Sequence, residues 1–208
     1  FCIKNIKQLK EYSEFDLNIK LPNKKNQLIK KFKIPLLGTH NIKNSVAAAA
    51  LALTVGLPIN NIKKGLKNFR GVQRRFNKIF DFKNVDFYDD YAHHPTEISS
   101  ILDGVRNVNQ KRKIISVFEP HRYSRVISLK NEFSKCFKKS DLVVVCPLYA
   151  AGEKRDPKFD INKFSSLIAK NSSTQVVIVK NEKELCNFLK KNLISNEIII
   201  GMGAGLIS

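Results

Sequence analysis

Hydrophobic and polar residues alternate in two runs near the start of the chain, as they do in β-strands that have one buried face. The apolar positions of these runs are Phe15, Leu17, Ile19, Leu21, Leu28, Phe32 and Ile34. Residues 22–26, which separate the runs, contain the proline and asparagines that favour turns. The pattern predicts a β-hairpin of two strands.

The following segment changes to helical spacing. Residues 41–55 are rich in alanine and leucine, which have high helix propensity, and Gly56 follows as a residue that commonly ends a helix. A second, shorter amphipathic pattern begins at Pro58 and stops at Gly71. We therefore expect a β-β-α-α unit that ends near residue 76.

After Arg75, strand-like and helical segments alternate, which is typical of a parallel sheet covered by helices. The predicted strands are residues 76–82, 85–88, 114–118, 142–146, 176–179 and 198–200. The predicted helices are residues 95–108, 129–139, 161–170 and 182–191. We expect an α/β fold with a Rossmann-like domain, in which ligands bind beyond the carboxyl ends of the strands.

The composition narrows the possible partners. Hydrophobic residues make up 43% and charged residues 26% of the chain, as in folded globular proteins. The formal net charge is +19, but the lysines are spread over most predicted elements without interleaved aromatics that stack on bases. We therefore expect no nucleic-acid partner. No apolar run reaches the ~20 residues of a membrane span, and scattered cysteines favour free thiols in the cytoplasm. The oligomeric state stays open.

Polar clusters follow three predicted strands, at residues 89–95, 119–125 and 149–153. In the second cluster, Arg122 and Arg125 lie three residues apart at the start of a helix, where their guanidiniums can bind a carboxylate or phosphate. A solvated pair of cations is the alternative interpretation. The sequence predicts an anion site here.

The first of these clusters contains Asp89, Asp90, Tyr91 and His93. Adjacent strand residues point to opposite faces, so we expect one aspartate to face the cleft and the other to cap the next helix. Imidazole and phenol groups can position an amine, and an imidazole can accept its proton. A helix start with satisfied polar groups is the alternative.

Three further segments have a functional interpretation that is weak when each is taken alone. In residues 38–44, Asn41 and Asn44 share one predicted helix face, and their amides can match an adenine edge, although asparagine is also a common cap. Residues 70–76 place cations between the two predicted units, facing either a polyphosphate or solvent. Residues 201–205, G-M-G-A-G, are not expected to bind a dinucleotide, because they follow the last strand and open no β-α-β unit.

Five motifs, taken in order, resemble those of the Mur ligases of peptidoglycan synthesis. They are G-T-H-N-I-K-N-S-V-A-A-A-A, F-R-G-V-Q-R-R-F, Y-D-D-Y-A-H-H-P-T-E-I, F-E-P-H-R-Y-S-R and Y-A-A-G-E. The resemblance runs over nearly the whole chain and favours the members that join L-alanine to UDP-N-acetylmuramate. Sister members that attach a tripeptide share the D-D-x-A-H-H-P-T segment but differ at P-H-R-Y-S-R.

The resemblance implies an ATP- and Mg²⁺-dependent amide-bond ligase that acts through an acyl phosphate. It implies that ATP is held by His40, Asn41, Asn44, Arg75 and Asp90. It also implies that L-alanine and the product-forming centre contact Tyr91, His93, His121, Arg122 and Arg125. Within this second set, the implied catalytic residues are His93, Arg122 and Arg125.

The chain also departs from the family pattern. It has no Walker A sequence and begins at Phe1, so we expect the phosphate-loop lysine and the Mg²⁺ ligands upstream. We expect residues 1–76 to end a central ATP-binding domain, residues 77–208 to form the C-terminal domain, and this piece to be inactive alone. Glu119 and Val126 stand where the family pattern leads us to expect Gln and Thr.

Two rivals from other classes remain. One is a basic module that binds nucleotides or nucleic acid without chemistry, for which a steep salt dependence of DNA binding is the test. The other is a nucleotide-linked dehydrogenase, which the missing G-x-G-x-x-G after the first strand argues against.

Overall fold

The computed structural model of the chain describes residues 1–9, 11–20 and 25–205. The chain forms two compact units. The first consists of Phe1–Val72 and Asp103–Asn109, and the second of Gln73–Leu102 and the residues from Gln110 onward. The predicted assignment of residues 1–76 and 77–208 to two domains of a ligase stays a prediction.

The first unit contains a three-stranded antiparallel sheet of β1 (Cys2–Gln8), β2 (Ser13–Ile19) and β3 (Gln27–Ile34), in that order. The predicted β2–β3 hairpin is confirmed by its antiparallel register. Leu21, a predicted strand position, and residues 22–24 of the predicted turn lie outside the described residues. The prediction missed β1, because most of its side chains are exposed and show no buried alternation.

The buried face of β2 and β3 packs on two helices, α1 (Thr39–Thr54) and α2 (Ile59–Asn68). Phe15 and Phe32 stack with their ring centroids 5.5 Å apart, and Ile42 and Ile62 close the core from the helices. Each such apolar side chain contributes roughly 1.5–3 kcal/mol when it is fully buried. The alternation in the sequence therefore marks a real core face.

The second unit contains a six-stranded sheet of order β4-β5-β9-β6-β7-β8. Its strands are β4 (Asn77–Phe82), β5 (Val85–Asp90), β6 (Ile114–Phe118), β7 (Leu142–Val145), β8 (Gln175–Ile178) and β9 (Ile198–Met202). All residues of β6 and β7 are buried, as expected for central parallel strands covered on both faces. The predicted α/β fold is confirmed.

One strand of this sheet differs from the parallel pattern. β4 pairs with β5 in the antiparallel sense, whereas the other neighbouring strands run parallel. Only Lys83 and Asn84 connect β4 to β5, and both have positive φ, 50° and 63°, as in tight hairpin turns. A parallel crossover needs about a dozen residues, so this short connection dictates the antiparallel edge.

Five helices accompany this sheet in the chain. They are α3 (Pro95–Val108), α4 (Tyr123–Ser128), α5 (Lys130–Lys135), α6 (Ile161–Ser172) and α7 (Glu182–Asn192). The helix predicted at residues 129–139 is shorter in the structure, where α5 ends at Lys135. Leu129, with φ −107° and ψ 22°, separates it from α4. No helix in the described ranges is long and apolar enough to cross a membrane.

Candidate active site

The candidate site lies on the second unit, where β5 and β6 end on either side of β9. The loop after β6 is joined to the loop after β7: the Arg122 N–H donates to the Tyr149 carbonyl at 2.9 Å, and the Tyr149 N–H donates to the Pro120 carbonyl at 2.8 Å. His121 and Tyr149 also form a parallel bridge. The three predicted polar clusters therefore follow strands whose carboxyl ends meet at one edge of the sheet.

Four aromatic side chains from these loops lie in a row, and we call them the ring cluster: Tyr91, His93, His121 and Tyr149. Tyr91 meets His93 edge-on at 5.1 Å between ring centroids, and His93 lies 5.7 Å from His121. His121 stacks on Tyr149 at 5.5 Å and 25°. The structure therefore brings together predicted residues from the loops after β5 and β6.

His93 has a defined hydrogen-bonding pattern. Its Nδ1 lies 2.8 Å from the Tyr91 carbonyl, and its backbone N–H donates to Glu97. A carbonyl only accepts, so Nδ1 carries the proton, and Nε2 is the nitrogen that can accept one when the ring is neutral. This tautomer suits a group that receives a proton from an amine.

His121 accepts a hydrogen bond at Nδ1, the ring nitrogen through which His93 donates one. Arg125 Nη1 lies 3.2 Å from His121 Nδ1, and because a guanidinium only donates, this ring nitrogen accepts. Burial of the ring, and then the positive charge of Arg125, lower the pKa of His121. The imidazole is therefore neutral at neutral pH.

The two predicted arginines differ in exposure. Arg125 is half-buried beside His121, whereas Arg122 is exposed and precedes α4 with φ 67°. Glu153 follows the third cluster and accepts hydrogen bonds from the Ser124 N–H and hydroxyl. These bonds, with the charge of Arg122, lower the pKa of Glu153. The site thus presents one fixed and one exposed guanidinium.

Both aspartates at the end of β5 are buried. Asp90 accepts the N–H groups of Phe76 at 2.7 Å and Ala92 at 2.6 Å, one on each carboxylate oxygen. Burial raises the pKa of Asp90 to about 6, although these hydrogen bonds oppose the shift. At the start of α3, Glu97 rather than either aspartate accepts the N–H groups of His93 and His94.

Sequence reasoning missed Arg74. Its Nη2 donates to the Gly203 carbonyl at 3.0 Å, and its Cζ lies 4.9 Å from the Tyr91 ring centroid. The neighbouring Arg75, which was predicted to approach ATP, has an exposed side chain. The sequence alone does not distinguish the environment of Arg74 from that of Arg75. The directions of the two side chains depend on the left-handed backbone of Arg74, with φ 58°.

The other predicted ATP-binding residues lie on the first unit, at the start of α1. Asn41 is buried and its Nδ2 donates to the Leu37 carbonyl at 2.7 Å, whereas Asn44 is exposed. Asn41 and Asn44 lie three residues apart in α1, and their role in binding adenine stays a prediction. His40 is half-buried, and a Cβ at Gly38 would lie 2.8 Å from its Nδ1, so this tight start needs glycine.

A cavity of about 750 Å³ opens near the ends of β6 and β7. It is lined by Glu119 and Tyr149 together with residues at the start of α7. Its volume lies within the range of small-molecule sites. No metal centre accompanies it: across the described parts of the chain, no three His, Cys, Asp or Glu side chains are grouped so that they can hold a metal ion. The assignment of the Mg²⁺ ligands to residues outside this chain stays a prediction.

The chain is similar to known proteins in both sequence and fold. The family model described as "Mur ligase, glutamate ligase domain" matches residues 74–205. A solved UDP-N-acetylmuramate-alanine ligase from Thermotoga maritima superimposes with a TM-score of 0.73 and 24% identity, covering 99% of this chain and 42% of that one. This likeness confirms the fold.

Two relatives match in sequence. The UDP-N-acetylmuramate–L-alanine ligase of Pelagibacter ubique is 55% identical over all 208 residues, which are 45% of its own length. The ligase of the same name from Brachyspira hyodysenteriae is 40% identical over 182 residues, covering 88% of this chain and 39% of the relative. The chain thus spans less than half the length of these relatives. Because the family model covers most of the second unit and the sequence likeness extends along both units, the chain belongs to the Mur ligase family.

Proposed function

We propose that the chain is the C-terminal part of an ATP-dependent ligase that adds L-alanine to UDP-N-acetylmuramate in peptidoglycan precursor synthesis. The observation that carries this proposal is the 55% identity over all 208 residues to the Pelagibacter ubique ligase. The chain spans 45% of that relative, so the activity belongs to the whole protein, and we expect this piece alone to be inactive. Its four free cysteines favour a cytoplasmic location.

In the proposed reaction, ATP phosphorylates the muramate carboxylate, the amine of L-alanine attacks the resulting acyl phosphate, and phosphate leaves. Arg122 and Arg125 bind the carboxylate of L-alanine and the negative charge that develops on the acyl group. This role is supported by the exposure of Arg122 and by the hydrogen bond that orients Arg125 against His121.

His93 receives the proton that the amine releases as the amide bond forms. Its neutral tautomer, with Nδ1 held by the Tyr91 carbonyl, leaves Nε2 available for this transfer. Tyr91 and His121 orient the imidazole from either side through their ring contacts. His93 is therefore the proposed proton acceptor, and Tyr91 and His121 complete the L-alanine site.

The proposed ATP contacts are His40, Asn41, Asn44, Arg75 and Asp90. Asp90 is suited to ribose hydroxyls because two backbone N–H groups fix its carboxylate, and each oxygen retains a lone pair. The exposed Arg75 and Asn44 are accessible to phosphates and to a base. Mg²⁺, when bound, neutralises charge on the ATP phosphates, and we assign its ligands to other parts of the whole enzyme.

A hybrid enzyme tests the proposal. In this hybrid, the chain replaces the matched part of the Pelagibacter ubique ligase, and phosphate release is measured with ATP, UDP-N-acetylmuramate and Mg²⁺. We expect release with L-alanine and little with the murein tripeptide, and the rates with glycine and L-serine measure the preference among small amino acids. Release with the tripeptide alone would move the assignment to the sister ligase. A folded hybrid that releases phosphate with none of these, beside an active parent, would overturn the proposal.

A further inference from the structure

We propose that residues 203–205, the glycine loop, hold both ends of the ring cluster in place, and that Arg74 and Gly205 are the positioning residues through which they do so. The inference rests on the proposed function, since it concerns the same site. It assigns a role to the G-M-G-A-G motif, which binds no dinucleotide in the proposed reaction.

The first end of the ring cluster is held through Arg74. Its guanidinium donates to the Gly203 carbonyl at 3.0 Å and to the Gly205 carbonyl at 3.5 Å. The same guanidinium lies over the Tyr91 ring at 4.9 Å, and the Tyr91 N–H donates to the Arg74 carbonyl at 2.7 Å. One side chain therefore links the glycine loop to Tyr91.

The second end is held by direct packing against Gly205. A Cβ added at this glycine would lie 2.7 Å from Tyr149 Cγ and would also overlap the buried Glu119 carboxylate. A separation below 3 Å forces a neighbour to move, and Cγ is the base of a rigid ring rather than a flexible tip. The Gly205 backbone therefore supports the Tyr149 ring, which in turn stacks on His121.

The glycine loop and Met202, the residue before it, are hydrogen-bonded to the two strand ends that carry the site. The Gly203 N–H donates to the Asp90 carbonyl at 3.3 Å, and the Glu119 N–H donates to the Met202 carbonyl at 2.9 Å. Asp90 ends β5 and Glu119 follows β6. The loop thus sets the spacing of the two segments that present His93 and His121.

A change at Gly205 has a specific expected consequence. An alanine pushes the Tyr149 ring away from His121, and water then reaches the imidazole. Because burial lowers the pKa of His121, partial exposure raises it. The charged and titratable groups that also act on the pKa of His121 are Arg122, Arg125, His93 and Glu153. None of them supplies the three atoms nearest an added Cβ at Gly205, which belong to Tyr149 and Glu119.

The first test uses the 208-residue chain itself and needs no activity. NMR follows the imidazole titration of His121 in the unsubstituted chain, in Gly205→Ala and in Gly65→Ala. Gly65 is the matched control because it is a helical glycine with nothing within 4 Å of an added Cβ. We expect the titration midpoint to rise in Gly205→Ala only. An unchanged midpoint, or an equal rise in Gly65→Ala, would overturn the inference.

The second test uses the hybrid ligase. Arg74→Ala and Arg74→Lys should each raise the KM for L-alanine about tenfold while the KM for ATP stays constant, because lysine cannot span two carbonyls and lie flat on a ring. Arg155→Ala, which removes an exposed arginine of the same unit, is the control. Equal increases in both KM values, or rescue by lysine, would contradict a positioning role. An inactive unsubstituted hybrid counts against the proposed function, whereas the NMR titration still decides the inference.

Discussion

Arginines lie at both ends of the parallel strands in the second unit, and their surroundings differ. At the amino ends, Arg112 donates to the carbonyls of Asn84, Asn196 and Glu197 and to the Asp86 carboxylate. At the carboxyl ends, Arg122 is exposed, and it directly follows His121 of the ring cluster in the chain. Hydrogen-bond partners within the chain therefore distinguish an arginine that stabilises the fold from an exposed arginine that is available to a ligand.

The carboxylates of the two ends follow the same division. Burial pushes the pKa of Asp86 up, but the hydrogen bonds from Lys78 and Arg112 outweigh it, so the pKa is lowered. Burial raises the pKa of Asp90 to about 6, the charges of Glu97 and Asp89 raise it further, and the hydrogen bonds from backbone N–H groups oppose the shift only in part. At the amino end, neighbouring cations therefore stabilise the charged form of Asp86, whereas at the carboxyl end burial disfavours the charged form of Asp90.

The largest expected effect is at the carboxyl end, where His93 is the proposed proton acceptor. In the hybrid ligase, His93→Gln should lower L-alanine-dependent phosphate release by about a hundredfold or more, because glutamine cannot accept the proton. His94→Gln is the matched control, since the ring of the neighbouring His94 accepts the Thr96 N–H and is not part of the ring cluster. Equal losses in the two variants would remove His93 from its proposed role.

At the amino end, Arg112→Ala should destabilise the chain by about 3 kcal/mol, because it removes the hydrogen bonds of this guanidinium to a half-buried carboxylate and to three carbonyls. Urea unfolding measures this change. Arg155→Ala, at an exposed position, should change stability by less than about 0.5 kcal/mol. A comparable small value for Arg112→Ala would show that its contacts are not stabilising.

The pH dependence of stability sharpens the contrast between the carboxylates. The folded-state pKa of Asp90 is raised from 3.8 to about 6, so its contribution to stability is present below about pH 4 and is lost as the pH rises through 6. An asparagine side chain does not titrate in this range, so the stability of Asp90→Asn does not fall in this way as the pH rises. Relative to the unsubstituted chain, it should therefore gain about 2 kcal/mol between roughly pH 4.5 and pH 7.5 in urea unfolding. Asp103→Asn, at an exposed carboxyl, is the control, and parallel curves for both would contradict the account.

The smallest effect concerns Lys78, which also bonds Asp86 at 2.7 Å. Its side chain is 44% exposed, so solvent screens the pair and Arg112 still holds Asp86. Lys78→Ala should cost less than about 1 kcal/mol in urea unfolding. A loss as large as that of Arg112→Ala would mean that both cations are needed and would blur the comparison.

The regular parts of the fold could be predicted because burial leaves a pattern in the sequence. The continuous apolar runs of β6 and β7 and the alternation of β2 each mark a buried face. β1 could not be found in this way, since its side chains are largely exposed. The antiparallel edge at β4 depended on a two-residue connection rather than on the hydrophobic pattern.

The site could be predicted only in pieces. His93 and His121 were each candidates from their own motifs, but their contact depends on β9, the last strand, lying between β5 and β6. Periodicity does not reveal that order. The role of Arg74 depends on one left-handed backbone angle, and that of Gly205 on how closely the chain passes Tyr149, so neither leaves a local sequence signal.

The most direct test of the central claim is the L-alanine-dependent phosphate release of the hybrid ligase with and without Arg122→Ala. The account predicts that the unsubstituted hybrid releases phosphate with L-alanine and that Arg122→Ala lowers this rate about a hundredfold while urea unfolding stays unchanged. Full activity of the Arg122→Ala hybrid, equal to that of Arg155→Ala, would contradict the claim that the exposed arginine at the carboxyl ends of the strands binds the substrate.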